Sequence, residues 1–240
     1  MAKFFLRFFV IVLIVAISTI IFLSYFGFKT DKFDSLIKSK ANEVNQYVKL
    51  GFQETRIHLN PTELNLVVKL QNPKILVKNN EIILKKLDLY LPLRSFVTSD
   101  FLLKRGEISF AKNDIKDLTK ITSIFLPKII NKQLNKIFVK GSLEGEFIIP
   151  FESDGSIGKD YGFSGRVLEA SINLTKEFSI KNLTTEIRHA KDDDGDEFEI
   201  IVKKGNIYDL ELSDSVINLE REENQTKIKS LLSTNGKFNF

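Results

Sequence analysis

Residues 86–93 read KLDLYLPL, and this stretch decides the fold class of the chain. Leucine occupies every second position from Leu87 to Leu93, and the residues between are mostly polar. Successive side chains of a β-strand point to opposite faces, so a period of two predicts a strand with one apolar and one wet face. The stretch 64–70, which reads LNLVVKL, repeats this pattern.

Similar alternation continues through the second half of the chain. It covers residues 147–151, 172–174, 178–180, 198–202, 208–212 and 217–219. Turn-forming clusters separate these stretches, for example Lys204-Gly205-Asn206. Strands joined by such turns are typical of an antiparallel meander, so residues 51–240 are predicted to form one β domain.

The N-terminal stretch 4–26 reads FFLRFFVIVLIVAISTIIFLSYF and carries a single charge, on Arg7. A helix of this length is roughly 34 Å long, which is enough to span the hydrocarbon core of a bilayer. Ala16 and Ser18 form a passable signal-peptidase site, but the apolar run continues beyond them to Phe26. We therefore expect an uncleaved transmembrane anchor at residues 1–28, with the rest of the chain beyond the membrane.

Two stretches have the apolar spacing of helices. In residues 33–50, apolar side chains recur three and four residues apart, which predicts an amphipathic helix over residues 29–50. This helix either caps the sheet or lies on the membrane surface, and its weakly basic polar face favours the cap. A helical insertion is expected at about residues 114–136, with Asp114 as N-cap and a kink or break at Pro127.

The composition argues against several classes of function. The 35 basic and 31 acidic residues are interspersed, whereas a nucleic-acid-binding protein usually concentrates basic residues in a stripe. Cysteine is absent, which excludes disulfides and thiolate metal sites. The sequence contains neither a Gly-x-Ser-x-Gly elbow nor a glycine-rich phosphate loop. We therefore expect a protein that is not an enzyme, has no cofactor or metal and binds no nucleic acid.

The residues that could bind a metal ion lack suitable partners. His58 and His189 have no Glu-x-x-His motif and are expected to be exposed strand residues. The acidic run Asp192–Glu197 resembles a calcium loop, but its glycine comes too early and its flanks are strands. We interpret the run as the acidic tip of a hairpin, with weak binding of a divalent cation as the alternative.

The order of these parts resembles the AsmA-like family, including its members of the YhdP and TamB type. A basic start, one membrane span and a helix precede residues 64–110, where a strand, an Asn-Pro turn and a leucine-rich strand follow the family rhythm. Residues 87–95 and 106–110 match that rhythm well, and residues 163–212 resemble the middle portion of the YhdP type.

The resemblance implies both a fold and a function. It implies a mainly β chain whose N-terminal transmembrane helix precedes an elongated, curved antiparallel sheet, a taco-like groove with a few covering helices. Such proteins are anchored in the bacterial inner membrane and project into the periplasm. They convey phospholipid toward the outer membrane or support its assembly. The implied partners are membrane phospholipid, the inner membrane and envelope proteins.

The expected groove lining is the apolar side of the alternating strands. Acyl chains need hydrocarbon contact along their length and no specific polar group. The candidate lining residues are Leu64, Leu66, Val68, Leu70, Leu87, Leu89, Leu91, Phe147, Ile149, Ile172, Leu174, Phe198, Ile200, Val202, Leu210 and Leu212. The alternative is that these residues form a closed core, and the chain is then a tethered scaffold or assembly factor. A membrane-bound hydrolase is the third class.

Overall fold

The computed structural model describes residues 2–44, 47–77, 80–95, 102–122, 136–173, 175, 177–192, 195–222 and 225–236. Within these residues the chain is mainly β, as the sequence predicts. A long apolar helix precedes one large, open antiparallel sheet, and a few shorter helices accompany the sheet.

The elements begin with helices and continue mostly as strands. The helices are α1 (Ala2–Tyr25), α2 (Asp34–Val44) and α3 (Ile115–Thr122). The first strands are β1 (Phe28–Lys29), β2 (Val48–Gly51), β3 (Glu54–Asn60), β4 (Asn65–Gln71), β5 (Lys74–Val77), β6 (Asn80–Pro92) and β7 (Arg105–Asp114). The later strands are β8 (Phe138–Pro150), β9 (Gly162–Asn173), β10 (Ser179–Asp192), β11 (Gly195–Ile207), β12 (Leu210–Glu222) and β13 (Gln225–Asn235).

Most strands pair with their neighbours in sequence. The sheet order is β1-β3-β4-β6-β7-β8-β9-β10-β11-β12-β13, so β6 to β13 form a continuous antiparallel meander. β5 pairs with β2 and β6, which adds a short branch beside the main path. Register shifts in most pairs from β6 onward mark bulges, which bend and twist a sheet. The sheet is open and groove-shaped.

α1 is long and apolar enough to cross a membrane. The apolar segment Phe4–Tyr25 has 22 residues, and none of it is buried within the structure. A signal sequence near an N-terminus meets the same criteria. The structure therefore supports a segment able to span a membrane, and the uncleaved anchor stays a prediction.

α2 caps the first strands of the sheet, which confirms the capping interpretation of this amphipathic segment. Phe33 and Ile37 are buried against β3, β4, β5 and β6. The helix ends at Val44, however, and not near residue 50. The following segment Val48–Gly51 forms β2, because its backbone pairs with β5 and its apolar side chains pack against the same core.

α3 occupies the first part of the predicted helical insertion. The Oδ1 atom of Asp114 accepts a 2.7 Å hydrogen bond from the backbone N–H of Lys116, which confirms Asp114 as the N-cap. Both Ile115 and Leu118 face the sheet and contact its buried residues. Residues 123–135, with the predicted kink, lie outside the described residues.

Two clusters of buried apolar residues stabilise the fold where the helices meet the sheet. The first cluster consists of Phe33, Ile37, Ile57, Val68, Leu70, Val77, Ile82, Leu84, Leu87 and Leu91. The second cluster consists of Ile115, Val167, Ala170, Leu183, Val202 and Leu212. Full burial of such a side chain contributes about 1.5–3 kcal/mol relative to exposure. α2 thus covers the first cluster, while the first residue of α3 belongs to the second.

Candidate functional site: an apolar strip on the open sheet

Strand register places nearly all of the predicted groove residues on one face of the sheet. Residues directly opposed in antiparallel strands share a face, as Leu66 and Leu91 do in β4 and β6. By this rule the face carries Leu66, Val68, Leu70, Leu87, Leu89, Leu91, Phe147, Ile149, Ile172, Phe198, Ile200, Val202, Leu210 and Leu212. Their role in binding lipid stays a prediction.

The prediction that Leu64 lines the groove is not supported by its position in the structure. It lies in the turn between β3 and β4 with a φ of 52°, and its side chain is 66% exposed. The strand begins only at Asn65, so Leu64 is not part of the sheet face, although its spacing matches the alternation. Leu174 lies outside the described residues.

The apolar face divides into a covered part and an open part. The covered part holds the predicted groove residues of the two clusters, namely Val68, Leu70, Leu87, Leu91, Val202 and Leu212, and three that pack against them, Leu66, Leu89 and Ile172. The six cluster residues are buried and form closed core, whereas Leu66, Leu89 and Ile172 are only partly buried. For the six cluster residues the structure favours the closed-core alternative, and groove lining by the other residues stays a prediction.

The open part contains a row of side chains that runs across the strands, which we call the apolar strip. Each member opposes the next in register from β8 to β13, in the order Phe147, Phe163, His189, Phe198, Leu219 and Ile228. Because neighbouring strands lie about 4.8 Å apart, the row is roughly 24 Å long. Ile200 and Ile217 oppose each other on the same face and flank the strip.

Two members of the apolar strip keep much accessible surface, whereas Phe147, Phe163 and Leu219 are half-buried and the side chain of His189 is nearly buried. Phe198 is 37% exposed and Ile228 is also exposed, whereas Leu91 in the first cluster keeps 1%. None of the strip residues belongs to either buried cluster of the described chain. Contiguous apolar side chains with this accessibility form a surface on which hydrocarbon can bind.

Aromatic rings pack closely along the middle of the strip. The ring centroids of Phe147 and Phe163 are 4.5 Å apart, and those of His189 and Phe198 are 4.0 Å apart. The Phe163 ring also lies against the backbone of Gly145 and Gly165, where a Cβ at Gly165 would come within 2.5 Å of the ring. Glycine at these paired positions therefore lets the ring lie low on the sheet.

The sequence does not predict Phe163, His189 and Leu219 as part of the site. His189 is expected to be exposed, but its side chain keeps only 9% of its surface because it contacts the rings of Phe198 and Tyr161. The available signal is its position two residues after Ile187 in β10, which puts both side chains on the apolar face. The polar imidazole conceals the alternation at this point.

The face of the sheet opposite the strip, called the polar face here, carries cross-strand ion pairs, although Ile201, Val216 and Leu231 form a short apolar row across it. Lys86 Nζ lies 2.5 Å from Glu107 Oε2, and Lys229 Nζ lies 2.8 Å from Glu220 Oε1. The Lys229–Glu220 pair is exposed, and such pairs contribute little to stability, whereas the Lys86–Glu107 pair is partly buried. The charged side chains do help to fix the register of the strands. A shift of one residue would turn them from the hydrated face onto the apolar face, where their charge would be costly to bury.

The pKa values of two carboxylates on the polar face, Asp88 and Glu107, are shifted in opposite directions. Burial raises the pKa of Asp88, and Lys86, whose Nζ is 3.5 Å away, offsets this only in part. Burial acts most strongly and would raise the pKa of Glu107, but the hydrogen bond and charge of Lys86, together with Tyr90 and Arg105, outweigh it and the pKa is lowered. Ionised Asp88 therefore costs stability above its raised pKa. Ionised Glu107 contributes stability above its ordinary pKa, and this contribution is lost as the pH falls through the lowered value.

We expect opposite effects from removing these two charges. Asp88→Asn should leave the melting temperature at neutral pH unchanged or higher, because it removes a buried carboxylate whose ionised form is disfavoured. Glu107→Gln should lower the stability by about 1 kcal/mol, because Lys86 loses its closest partner. Thermal melting followed by circular dichroism at neutral and acidic pH checks both, with the difference between the variants shrinking in acid. Equal destabilisation by both substitutions at neutral pH would contradict this assignment.

The part of the chain that the structure describes gives little indication of a metal-binding site. No three His, Asp or Glu side chains there come together as potential metal ligands. β10 ends at Asp192 and β11 begins at Gly195, so the acidic run does lie at a hairpin tip, as predicted.

Comparisons with known proteins find no match: no family model, no curated protein and no solved structure is similar to this chain. The AsmA-like resemblance therefore stays an expectation, and the geometry of the apolar strip carries the functional conclusion.

Proposed function

We propose that this chain is a membrane-anchored protein without enzymatic activity that binds phospholipid acyl chains on the apolar strip. The observation that carries this proposal is the strip itself. It is a row of five apolar side chains and His189, roughly 24 Å long at the usual strand spacing, on one face of an open sheet and partly accessible to solvent.

An acyl chain suits such a surface because it requires length and hydrocarbon contact. Each methylene group removed from water contributes about 0.8 kcal/mol, so contact with several strip residues gives useful affinity without a polar anchor. The strip offers aromatic rings at Phe147, Phe163 and Phe198 and aliphatic side chains at Leu219 and Ile228. A chain lying across the strands would meet one of these residues on each strand except β10, where it would meet His189.

α1 supports the proposal because it would hold the strip close to the source of its ligand. The helix is apolar over the segment Phe4–Tyr25 apart from Arg7. Only Phe26 and Gly27 separate it from β1, so the sheet begins at the end of the helix. A domain tethered in this way meets lipid at a high effective concentration.

In this proposal the chain belongs to the AsmA-like family and is a single-pass protein of the bacterial inner membrane. Most of the chain lies in the periplasm, where it conveys phospholipid between the membranes and supports outer-membrane assembly, with envelope proteins as partners. The sequence resemblance of residues 64–110 and 163–212 supports this setting. The order of an apolar helix and a large open sheet agrees with it.

The covered part of the face favours a second function. A tethered scaffold or assembly factor for envelope proteins needs only a stable core, and the first cluster provides one beneath α2. The two functions differ in one observable property, which is whether phospholipid occupies the strip.

Lipid extraction from the purified full chain separates these functions. The chain is isolated in mild detergent, its lipids are extracted and quantified by mass spectrometry, and its β content is checked by circular dichroism. A fusion of residues 1–30 to an unrelated soluble carrier provides the control for lipid that surrounds α1. We expect phospholipid in excess of this control. A folded chain with no excess would exclude the lipid-binding function and favour the scaffold.

A further inference from the structure

The connection between α1 and the sheet is short and tightly packed. Gly27 has a φ of 62°, and a Cβ at this position would lie 2.6 Å from the carbonyl oxygen of Ile57. The Nδ1 atom of His58 lies 3.3 Å from the carbonyl oxygen of Ser24 in the last turn of α1. The end of the helix therefore contacts β3 directly.

This contact places the turn between β3 and β4 near the end of the membrane-spanning segment. β3 continues for two residues beyond His58, to Asn60, which covers about 7 Å at the usual rise of a strand. Asn60 opposes Asn65, so residues 61–64 form the turn at this end. The polar layer on each side of a bilayer is about 5–7 Å thick. A turn this close to the helix end lies within reach of the lipid headgroups.

Leu64 has two unusual properties for a turn residue. It adopts a φ of 52°, which is an uncommon conformation for a residue with a side chain, and it points a large apolar side chain outward. Tyr208, in the turn at the opposite strand ends, shares both properties, so what distinguishes Leu64 is its place beside the end of α1. An exposed leucine is stabilised if hydrocarbon or headgroup carbon surrounds it.

The neighbouring strand end adds residues of the same character. β6 ends opposite the start of β4, where Asn65 pairs with Pro92, and the exposed Leu93 and Arg94 follow. Lys104, also exposed, precedes β7 at this end of the sheet. Exposed leucine beside basic side chains is typical of surfaces that bind anionic lipid headgroups.

We propose that the turn 61–64 inserts Leu64 into the headgroup layer of the bilayer that α1 spans, with Leu93 and Lys104 beside it at the membrane surface. This inference rests on the membrane anchoring in the proposed function and names the lipid surface as the partner of one end of the sheet. The insertion gives the sheet a second attachment besides α1. It fixes the end of β3 and β4 against the membrane.

The absence of cysteine allows a direct test with single labels. Leu64→Cys and Tyr208→Cys carry an environment-sensitive fluorophore, and the full chain is reconstituted in vesicles of phosphatidylethanolamine and phosphatidylglycerol. Tyr208 is the matched control, because it lies in the β11–β12 turn at the opposite strand ends with a φ of 51° and 70% exposure. We expect blue-shifted emission and quenching by lipid-attached nitroxides at position 64 and a water-like signal at position 208.

A water-like signal at position 64 in a chain that floats with the vesicles would overturn this inference. A chain that does not float would overturn it as well, because α1 would then not hold the turn at a bilayer. The result is independent of lipid bound on the apolar strip. The label at position 64 could report a membrane environment while the extraction finds no excess phospholipid. That result would support the insertion of Leu64 and exclude the lipid-binding function of the strip.

Discussion

Replacing Leu91 by aspartate is expected to unfold the β domain, although the residue belongs to the same apolar face as the strip. Leu91 keeps 1% of its surface and lies in the first cluster beneath α2. An unpaired carboxylate at such a position costs several kcal/mol, comparable to the whole stability of a typical domain. Far-UV circular dichroism and limited proteolysis of the full chain should show loss of the β signal and rapid cleavage beyond α1.

Phe198→Asp is the companion variant for the open part of the face. Phe198 is 37% exposed, so water can hydrate a carboxylate there, and the β signal and protease resistance should persist. Leu91→Met, which conserves volume, should cost less than about 1.5 kcal/mol and shows that the site itself tolerates substitution. Unfolding in both aspartate variants would mean that the apolar face is one closed core.

Phe198→Asp is also expected to remove most of the phospholipid that co-purifies in excess of the anchor control. The substitution deletes an aromatic contact in the middle of the apolar strip and places a charge where a methylene chain would lie. A loss of 1.4 kcal/mol or more corresponds to about a tenfold or larger drop in affinity. Mass spectrometry of the extracted lipids, normalised to protein, measures the effect.

Leu231→Asp serves as the matched control for this loss. Leu231 opposes Val216 on the polar face, in the same row as Ile201, and is 70% exposed, so its replacement adds the same charge to apolar surroundings on the other side of the sheet without touching the strip. Its lipid content should equal that of the unmodified chain. An equal loss in both variants would show that the added charge acts through the membrane or the general surface, and the strip assignment would fail.

Much of the fold is readable from the sequence because the relevant patterns are local. The alternation in residues 86–93 indicates a strand whatever its partner, and the long uninterrupted apolar stretch from Phe4 onward indicates a helix able to span a membrane. The end of α2 at Val44 is less predictable, because residues 47–50 fit the helical spacing as well as a strand. Pairing with β5, a contact distant in sequence, decides for the strand.

The candidate site is harder to derive than the fold because it depends on what covers each strand. Alternation shows that Val68 and Ile200 both face the apolar side, but it does not show that α2 covers the strands around Val68. Leu64 fits the alternation of residues 64–70, but it lies in a turn and not in a strand. His189 lies on the apolar face, but its polar ring hides this position in the pattern of apolar and polar residues. Tertiary packing decides which part of the apolar face stays open. The two-residue period of the sequence does not contain this information.

Photo-crosslinking from within the membrane-bound chain tests the central claim most directly. A benzophenone amino acid at position 198 or at position 231 is irradiated with the full chain in native membranes, and adducts are identified by mass spectrometry. The two positions are exposed and apolar in the unmodified chain and lie on opposite faces of neighbouring parts of the sheet. We predict phospholipid adducts at position 198 and few or none at position 231. Equal adduct yields, or adducts at position 231 alone, would contradict lipid binding on the apolar strip.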